Sequence, residues 1–203
     1  MQVREYGPSA LLVEVDSAGE AAALADWLRR VGERLRCEEI VPAARTVLLD
    51  GLRRAEDVAR WRALLETWTP REDRPPGPLV ELPTRYDGPD LERVAGLWRV
   101  TPAEVVARHT ALEFVSAFCG FAPGFAYLTG LPPGWVVPRL AAPRPRVPAG
   151  SVGLADGFCG VYPSASPGGW LLLGRTEAVL WDLSSPEPAL LAPGTRVRFV
   201  AVG

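Results

Sequence analysis

Apolar positions along the first 70 residues recur with two different periods. Leu11, Val13 and Val15 stand at every second position, the period-two pattern of a strand with one face on a core. Ser17-Ala-Gly-Glu20 then has the form of a capping box, and Leu24, Trp27, Leu28, Val31 and Leu35 follow at helical spacing. Two short apolar runs, 38–41 and 46–49, flank Pro42-Ala43-Ala44 and predict a hairpin. A second helix carries Val58, Trp61, Leu65 and Trp68 on one face, and residues 79–82 supply a last strand. The order β-α-β-β-α-β predicts a small split-βαβ (ferredoxin-like) sandwich over residues 1–84. Prolines 70, 75, 76 and 78 make residues 70–78 a stiff, exposed connection, because each fixes φ and removes a donor. The domain boundary is therefore expected close to it, at about residue 84.

Past the boundary the pattern is helical once more and then changes. Leu91, Val94, Ala95 and Trp98 share one helical face. Thr101-Pro102-Ala103-Glu104 is a strong helix start, with Thr at the N-cap, Pro at N1 and Glu at N3, and that helix carries Val105, Val106 and His109. From Phe114 onward short apolar runs (114–118, 135–137, 170–173, 178–183, 196–202) are separated by Gly/Pro turns. In the last of these Arg196, Val197, Arg198 and Phe199 alternate at period two, which predicts one buried face. The whole reads as an α+β chain in which residues 85–203 form a helical pair leading into a compact β-barrel.

Composition narrows the function classes. The chain has 203 residues, 48% of them apolar, and a net charge of −2, so it has a substantial core and no basic footprint for nucleic acid. The helix pair at 91–110 has the outline of a helix-turn-helix, but its second helix presents Glu104 and Arg108 with little basic support, so it reads as structural. All 22 basic residues are Arg. Without lysine there is no P-loop or Schiff base, and anion contacts must come from guanidinium or backbone N–H groups. Cys37, Cys119 and Cys159 show no metal-ligand spacing and His109 is the one histidine, so no metal site is expected. The opening residues lack the apolar stretch of a signal peptide and no run approaches the length of a membrane span. A cytoplasmic protein is the expectation.

Three segments carry candidate chemistry. Gly120-Phe121-Ala122-Pro123-Gly124-Phe125-Ala126-Tyr127-Leu128 interleaves glycines, a proline and three aromatics; it either plugs the core or lets a ligand or partner approach the backbone closely. Residues 132–148 contain six prolines, and Arg144 and Arg146, two apart in an extended stretch, either form a paired guanidinium site or a solvated rim. Gly160-Val-Tyr162-Pro-Ser-Ala-Ser-Pro-Gly-Gly-Trp170 turns sharply into a strand headed by Trp170. Neither Ser164 nor Ser166 sits in a Gly-x-Ser-x-Gly elbow, which weighs against a serine hydrolase. His109 carries the only side chain whose unperturbed pKa lies near neutrality, and a lone helical histidine is either structural or catalytic.

Taken in series these segments resemble the KipI family, also called the B subunit of 5-oxoprolinase and, on an older label, allophanate hydrolase subunit 1. Its His-Thr pair, GFxPGFxYLxGL, TPRxxVPAGSVxI and GxYPxxSPGGWxLxGRT motifs stand here as His109-Thr110 and residues 120–131, 142–154 and 160–176. Ala142 replaces the usual Thr, and Cys159 stands where Thr is typical. The resemblance implies an N-terminal α/β domain and a cyclophilin-like barrel. It implies assembly with a KipA-like partner and a LamB/YcsF-type partner, the three together converting 5-oxoproline and ATP to glutamate, ADP and phosphate. On that basis His109 is expected to be catalytic, and Arg144, Arg146, Ser151 and Tyr162 to contact substrate or nucleotide. Phe121, Pro123, Gly124, Phe125, Tyr127 and Trp170 are expected to form an interface loop. The sequence holds no P-loop and no kinase HRD or DFG set, so ATP is expected to be shared with a partner. The alternative reading is a protein inhibitor of a sensor histidine kinase. A prolyl isomerase by barrel analogy is weaker, because fold does not carry function.

Overall fold

The computed structural model describes residues 1–31, 37–52, 55–69 and 77–203. Leu35 and most of the 70–78 connection lie outside them. The chain divides into two compact units, Met1–Pro75 and Pro76–Gly203.

In the first unit β1 (Gln2–Glu5), β2 (Leu11–Glu14), β3 (Glu39–Pro42) and β4 (Thr46–Asp50) form one antiparallel sheet in the order β1-β2-β4-β3. Helix α1 (Ala18–Val31) connects β2 to β3, with β4 between them: the split βαβ read from the sequence. Ser17 caps α1 by accepting the Glu20 N–H at 3.1 Å, while the Glu20 carboxylate accepts from Asp16 N–H. Helix α2 (Ala55–Leu65) adds Trp61 and Leu65, both fully buried, to a core with Leu11, Val13, Leu24, Leu28 and Leu49. Trp27 is only partly buried against that core.

The strand expected at residues 79–82 does not complete the first sheet. It lies in β5 (Leu79–Thr84), which pairs in parallel with β13 (Arg196–Ala201) along six residues of the second unit. The edge beside β2 is held instead by β1, a mostly exposed strand whose polar sequence gave no apolar pattern. The division between units therefore precedes β5 instead of following it at 84.

The second unit is a seven-stranded sheet in the order β12-β9-β10-β7-β6-β13-β5, with β6 (Phe114–Cys119), β7 (Ala126–Thr129), β9 (Ser151–Ala155), β10 (Phe158–Val161) and β12 (Leu171–Arg175). Its two ends nearly meet. Arg85 and Arg175 exchange both backbone hydrogen bonds at 2.9 Å, and Gly88 and Asp90 donate to the Leu173 and Leu172 carbonyls. A Cβ on Gly174 would collide with the Arg85 carbonyl oxygen, so this seam of the barrel requires glycine. A small ribbon, β8 (Arg144–Val147) with β11 (Ser166–Gly168), stands apart from this sheet. Residues 135–137 and 178–183 form no strand: a single 3-10 turn covers Pro133–Trp135, and Trp181 makes only an isolated bridge to Ala189.

Helices α3 (Leu91–Trp98) and α4 (Pro102–Ala111) put Val94, Ala95, Trp98 and Val105 into the barrel core with Leu82, Phe114, Leu128 and Phe199. The capping box of α4 is complete: Thr101 Oγ1 accepts the Glu104 N–H at 3.2 Å and the Glu104 carboxylate accepts the Thr101 N–H at 2.8 Å. Among the described residues no helix is long and apolar enough to cross a membrane.

Candidate functional site

The β6–β7 hairpin is closed by a tight loop. Phe125 N–H donates to the Ala122 carbonyl and Gly120 N–H to the Phe125 carbonyl. Phe121 takes a left-handed φ of 70°, and Gly124 one of 84°. At Gly124 a Cβ would press on Leu180 O and Trp181 Cβ at about 3 Å, so glycine is needed both for its backbone angle and for this close approach. The loop thereby divides its aromatics: Phe125 is buried, while Phe121 is 60% exposed.

Phe125 is the hub of an aromatic cluster that draws on the glycine-rich loop and on the 160–170 motif. Its ring lies 5.4 Å from Tyr162, 5.4 Å from Trp170, 5.1 Å from Tyr127 and 5.3 Å from Phe121, each edge to face, the arrangement favoured by ring quadrupoles. Tyr127 stacks on Phe118 at 4.4 Å and meets Phe158 edge-on. Two motif glycines make room. A Cβ on Gly160 would come within 3.0 Å of the Phe125 and Trp170 rings, and one on Gly168 would collide with Tyr162 Oη. Between these rings and the Pro167-Gly168-Gly169 backbone lies a pocket of about 80 Å³, with Arg139 on its lining. Arg139 Nε donates to Asp156 at 2.8 Å, and both side chains are half exposed. Burial pushes the Tyr162 phenol up, opposed by the Trp170 backbone and by the nearby Arg139 and Arg144 guanidiniums. A larger cavity of about 490 Å³ lies at the barrel seam, lined by charges of both signs: Arg85, Arg175 and Glu177.

The structure brings together only part of the expected site. Phe121, Phe125, Tyr127, Tyr162 and Trp170 converge on the pocket. Gly124 shapes the loop, and Pro123 lies beside it, off the pocket lining. Arg144 does not offer a free guanidinium: Nη2 donates to both Asp90 oxygens at 2.8 Å and Nη1 to the Trp170 carbonyl. Buried Asp90 also accepts the Leu172 N–H at 2.7 Å, so the pair ties β8 to the start of α3 and to β12. Arg146 is exposed and outside the pocket lining. Ser151 is buried, and its carbonyl accepts the Tyr162 N–H.

His109 lies apart from that pocket. It is completely buried, in the barrel interior and not on the pocket. Nδ1 shares a 2.7 Å hydrogen bond with Tyr86 Oη and Nε2 approaches Cys159 Sγ at 3.4 Å, while its ring packs on Phe114 and Phe199. Desolvation pushes its pKa down to about 3 and pushes the Tyr86 and Cys159 groups up. This neutral imidazole has no exposed surface of its own, and its Nδ1 side is covered by the partly buried Tyr86. Arg139 is the residue that sequence reasoning missed, since Pro138-Arg139-Leu140 lies between motifs and carries none of its own. Among the described residues no three His, Cys, Asp or Glu side chains cluster as metal ligands.

The family model described as carboxyltransferase domain, subdomain C and D, matches residues 1–191. The chain belongs to this family. It is 45% identical over 141 residues to a protein of Escherichia coli O157:H7 named as the B subunit of 5-oxoprolinase, and 45% identical over 127 residues to one of the same name from Bacillus subtilis (strain 168). These matches take in 67% and 61% of this chain, but only 65% and 53% of the relatives. The chain thus matches less than two thirds of their length. Among solved structures, that of TTHA0988 superposes on the whole chain with a TM-score of 0.79 at 34% identity, using 40% of its own length. The Kluyveromyces lactis urea amidolyase, at 18% identity, contains the same fold (TM-score 0.79) over 98% of this chain and 15% of its own.

Proposed function

We propose that this family member acts as the B subunit of an ATP-dependent 5-oxoprolinase. Together with a KipA-like partner and a LamB/YcsF-type partner it converts 5-oxoproline, ATP and water to glutamate, ADP and phosphate. The observation that carries this reading is the convergence of family motifs on one aromatic pocket, in a chain 45% identical to proteins named as B subunits of 5-oxoprolinase. Opening a lactam requires activation of an unreactive amide carbonyl. Phosphorylating the amide oxygen with the γ-phosphoryl group of ATP, which departs as ADP, activates that carbon. One water adds there and the ring C–N bond breaks to give the free amine and an acyl phosphate, and a second water releases the phosphate to leave the carboxylate.

The chain's own residues support part of this task. The pocket lining offers ring faces, phenols and a guanidinium, but no histidine or carboxylate that could serve as a base. A volume of about 80 Å³ is also too small for a nucleotide, given that drug-sized ligands occupy roughly 300 Å³ or more. ATP is therefore assigned to the assembled complex and not to this pocket. In a co-expression test, 5-oxoproline-dependent ATP hydrolysis is expected only when all three proteins are present, with none from the purified chain. Robust turnover by the chain alone, or ATPase in the complex that ignores 5-oxoproline, would overturn the reading.

A further inference from the structure

Three other features of the molecule point to no ligand. The seam cavity is lined by both Arg85 and Arg175 and by Glu177, with Arg175 already paired to Asp87 at 3.0 Å, so it has no net preference for an anion. The exposed apolar row Val179, Trp181 and Leu183 has nothing beside it that names an occupant. In the Tyr86–His109–Cys159 group His109 and Cys159 are completely buried behind a partly buried Tyr86, with no cavity beside them among those described.

The aromatic pocket differs from all of these in being small, concave and asymmetric. Its walls are ring faces and edges, from Phe125, Tyr127 and Trp170. Its volume of about 80 Å³ is several times the roughly 10–15 Å³ that admits one water and far below the roughly 300 Å³ of a drug-sized site. That room suits a single five-membered ring. Arg139 is the one charged residue on its lining, and the Arg144 guanidinium also acts on the Tyr162 phenol. Arg144 is committed to Asp90, both of whose oxygens it holds, whereas the hydrogen bond from Arg139 to Asp156 uses Nε. A guanidinium has five donors, so the two Nη groups of Arg139 can take a carboxylate. Asp156 is half exposed and competes for the same cation.

We propose that this pocket binds a small five-membered ring bearing a carboxylate, the ring against Phe125, Tyr127 and Trp170 and the carboxylate on Arg139. The ring's identity as 5-oxoproline rests on the function proposed above; the ligand class rests on the pocket itself. Arg139 is then the residue that selects for the carboxylate.

The test is a titration of the full chain with 5-oxoproline and with 2-pyrrolidinone, its analogue without the carboxylate, following tryptophan fluorescence or ligand NMR. Wild type is expected to bind 5-oxoproline saturably and about tenfold or more tighter than 2-pyrrolidinone, the loss of one charge-assisted contact. Arg139→Gln should abolish that difference. Asp156→Asn removes the competitor and should tighten 5-oxoproline binding about two- to threefold, a fraction of one such contact. Asp156 has a φ of 52°, a region asparagine tolerates, so the backbone is not strained by the change. If the Arg139–Asp156 pair matters only for structure, both variants weaken binding, and the proposal fails. Arg175→Gln, at the seam, should leave the affinity unchanged. The proposal also falls if Arg139→Gln binds 5-oxoproline like wild type, or if wild type binds neither ring compound. It falls equally if the pocket takes only an internal proline of a peptide, which would reassign it to a protein partner. If other ring carboxylates bind through Arg139 while the full complex ignores 5-oxoproline, the proposed function fails and this inference stands.

Discussion

Two places in the same barrel, the interior around His109 and the aromatic pocket near the β6–β7 loop, contain much the same kinds of groups and use them in opposite ways. Around His109 the imidazole packs against Phe114 and Phe199 between a buried thiol and a partly buried phenol, and desolvation favours the neutral form of each. At the pocket, phenols and rings surround a cavity with a half-exposed guanidinium on its lining. The difference lies in access, not in composition. His109, which invites a catalytic reading by type, is withdrawn from water in this fold. At the pocket the glycines let the rings of Phe125, Trp170 and Tyr162 press against the backbone, and a small cavity remains beside them.

The sharpest break of this comparison concerns Arg144, which the sequence groups with anion-binding residues and the structure places on the structural side. If the Asp90 carboxylate is what Arg144 serves, Asp90→Ala leaves a partly buried guanidinium without its partner. A destabilisation of about 3 kcal/mol is expected, readable by urea denaturation. A loss below about 1 kcal/mol, the scale of an exposed pair, would make Arg144 a ligand-binding candidate again.

The next effect depends on pH. His109 is neutral in the folded protein, its pKa near 3, against about 6.5 when unfolded. Below pH 6.5 the unfolded chain binds a proton that the folded one refuses, so stability falls as pH drops from about 6.5 towards 3 and is unaffected above that window. Over the first two pH units of that descent this contributes about 2 kcal/mol, since one pKa unit corresponds to about 1.4 kcal/mol. Carboxylates titrate in the lower part of the same window, so the measurement is the difference between wild type and His109→Gln across it. A wild-type slope no steeper than the variant's would mean that the imidazole is reached by solvent after all.

Legibility in the sequence followed the same division. Helix α4 could be read in full because Thr101, Pro102 and Glu104 are local signals, and both reciprocal hydrogen bonds form. Strand β13 was legible from its period of two, with Val197 and Phe199 buried and Arg198 outside. Strand β9 was not, because all five of its residues are buried and no alternation remains to be seen. Strand β5 shows an alternation ending in buried Leu82 and Thr84, but one buried face does not say which core it meets; its parallel partner lies more than a hundred residues away. The same limit applies to the site. Motif density located Phe125, Tyr162 and Trp170, whereas the pairing of Arg144 could not be read because Asp90, 54 residues distant, is a partner only the fold supplies. Arg139 had no local signal at all.

The smallest effect tests the open side of the comparison most directly. Phe121 is 60% exposed, touches Phe125 and Tyr162 edge-on at 5.3 and 6.2 Å, and lines the pocket. If it is a wall of a binding site and not a core plug, truncation removes little buried area. Alanine at its left-handed φ is strained no more than phenylalanine, so the loop has no new reason to move. Phe121→Ala should then change stability by no more than about 0.5 kcal/mol, the range for exposed substitutions. Its mark should appear in the assembled enzyme as a several-fold rise in KM for 5-oxoproline with kcat nearly unchanged, the pattern of lost uniform binding. A stability loss of about 2 kcal/mol or more, the scale of a core truncation, would instead make Phe121 part of the packed cluster, and the pocket would lose one of its walls.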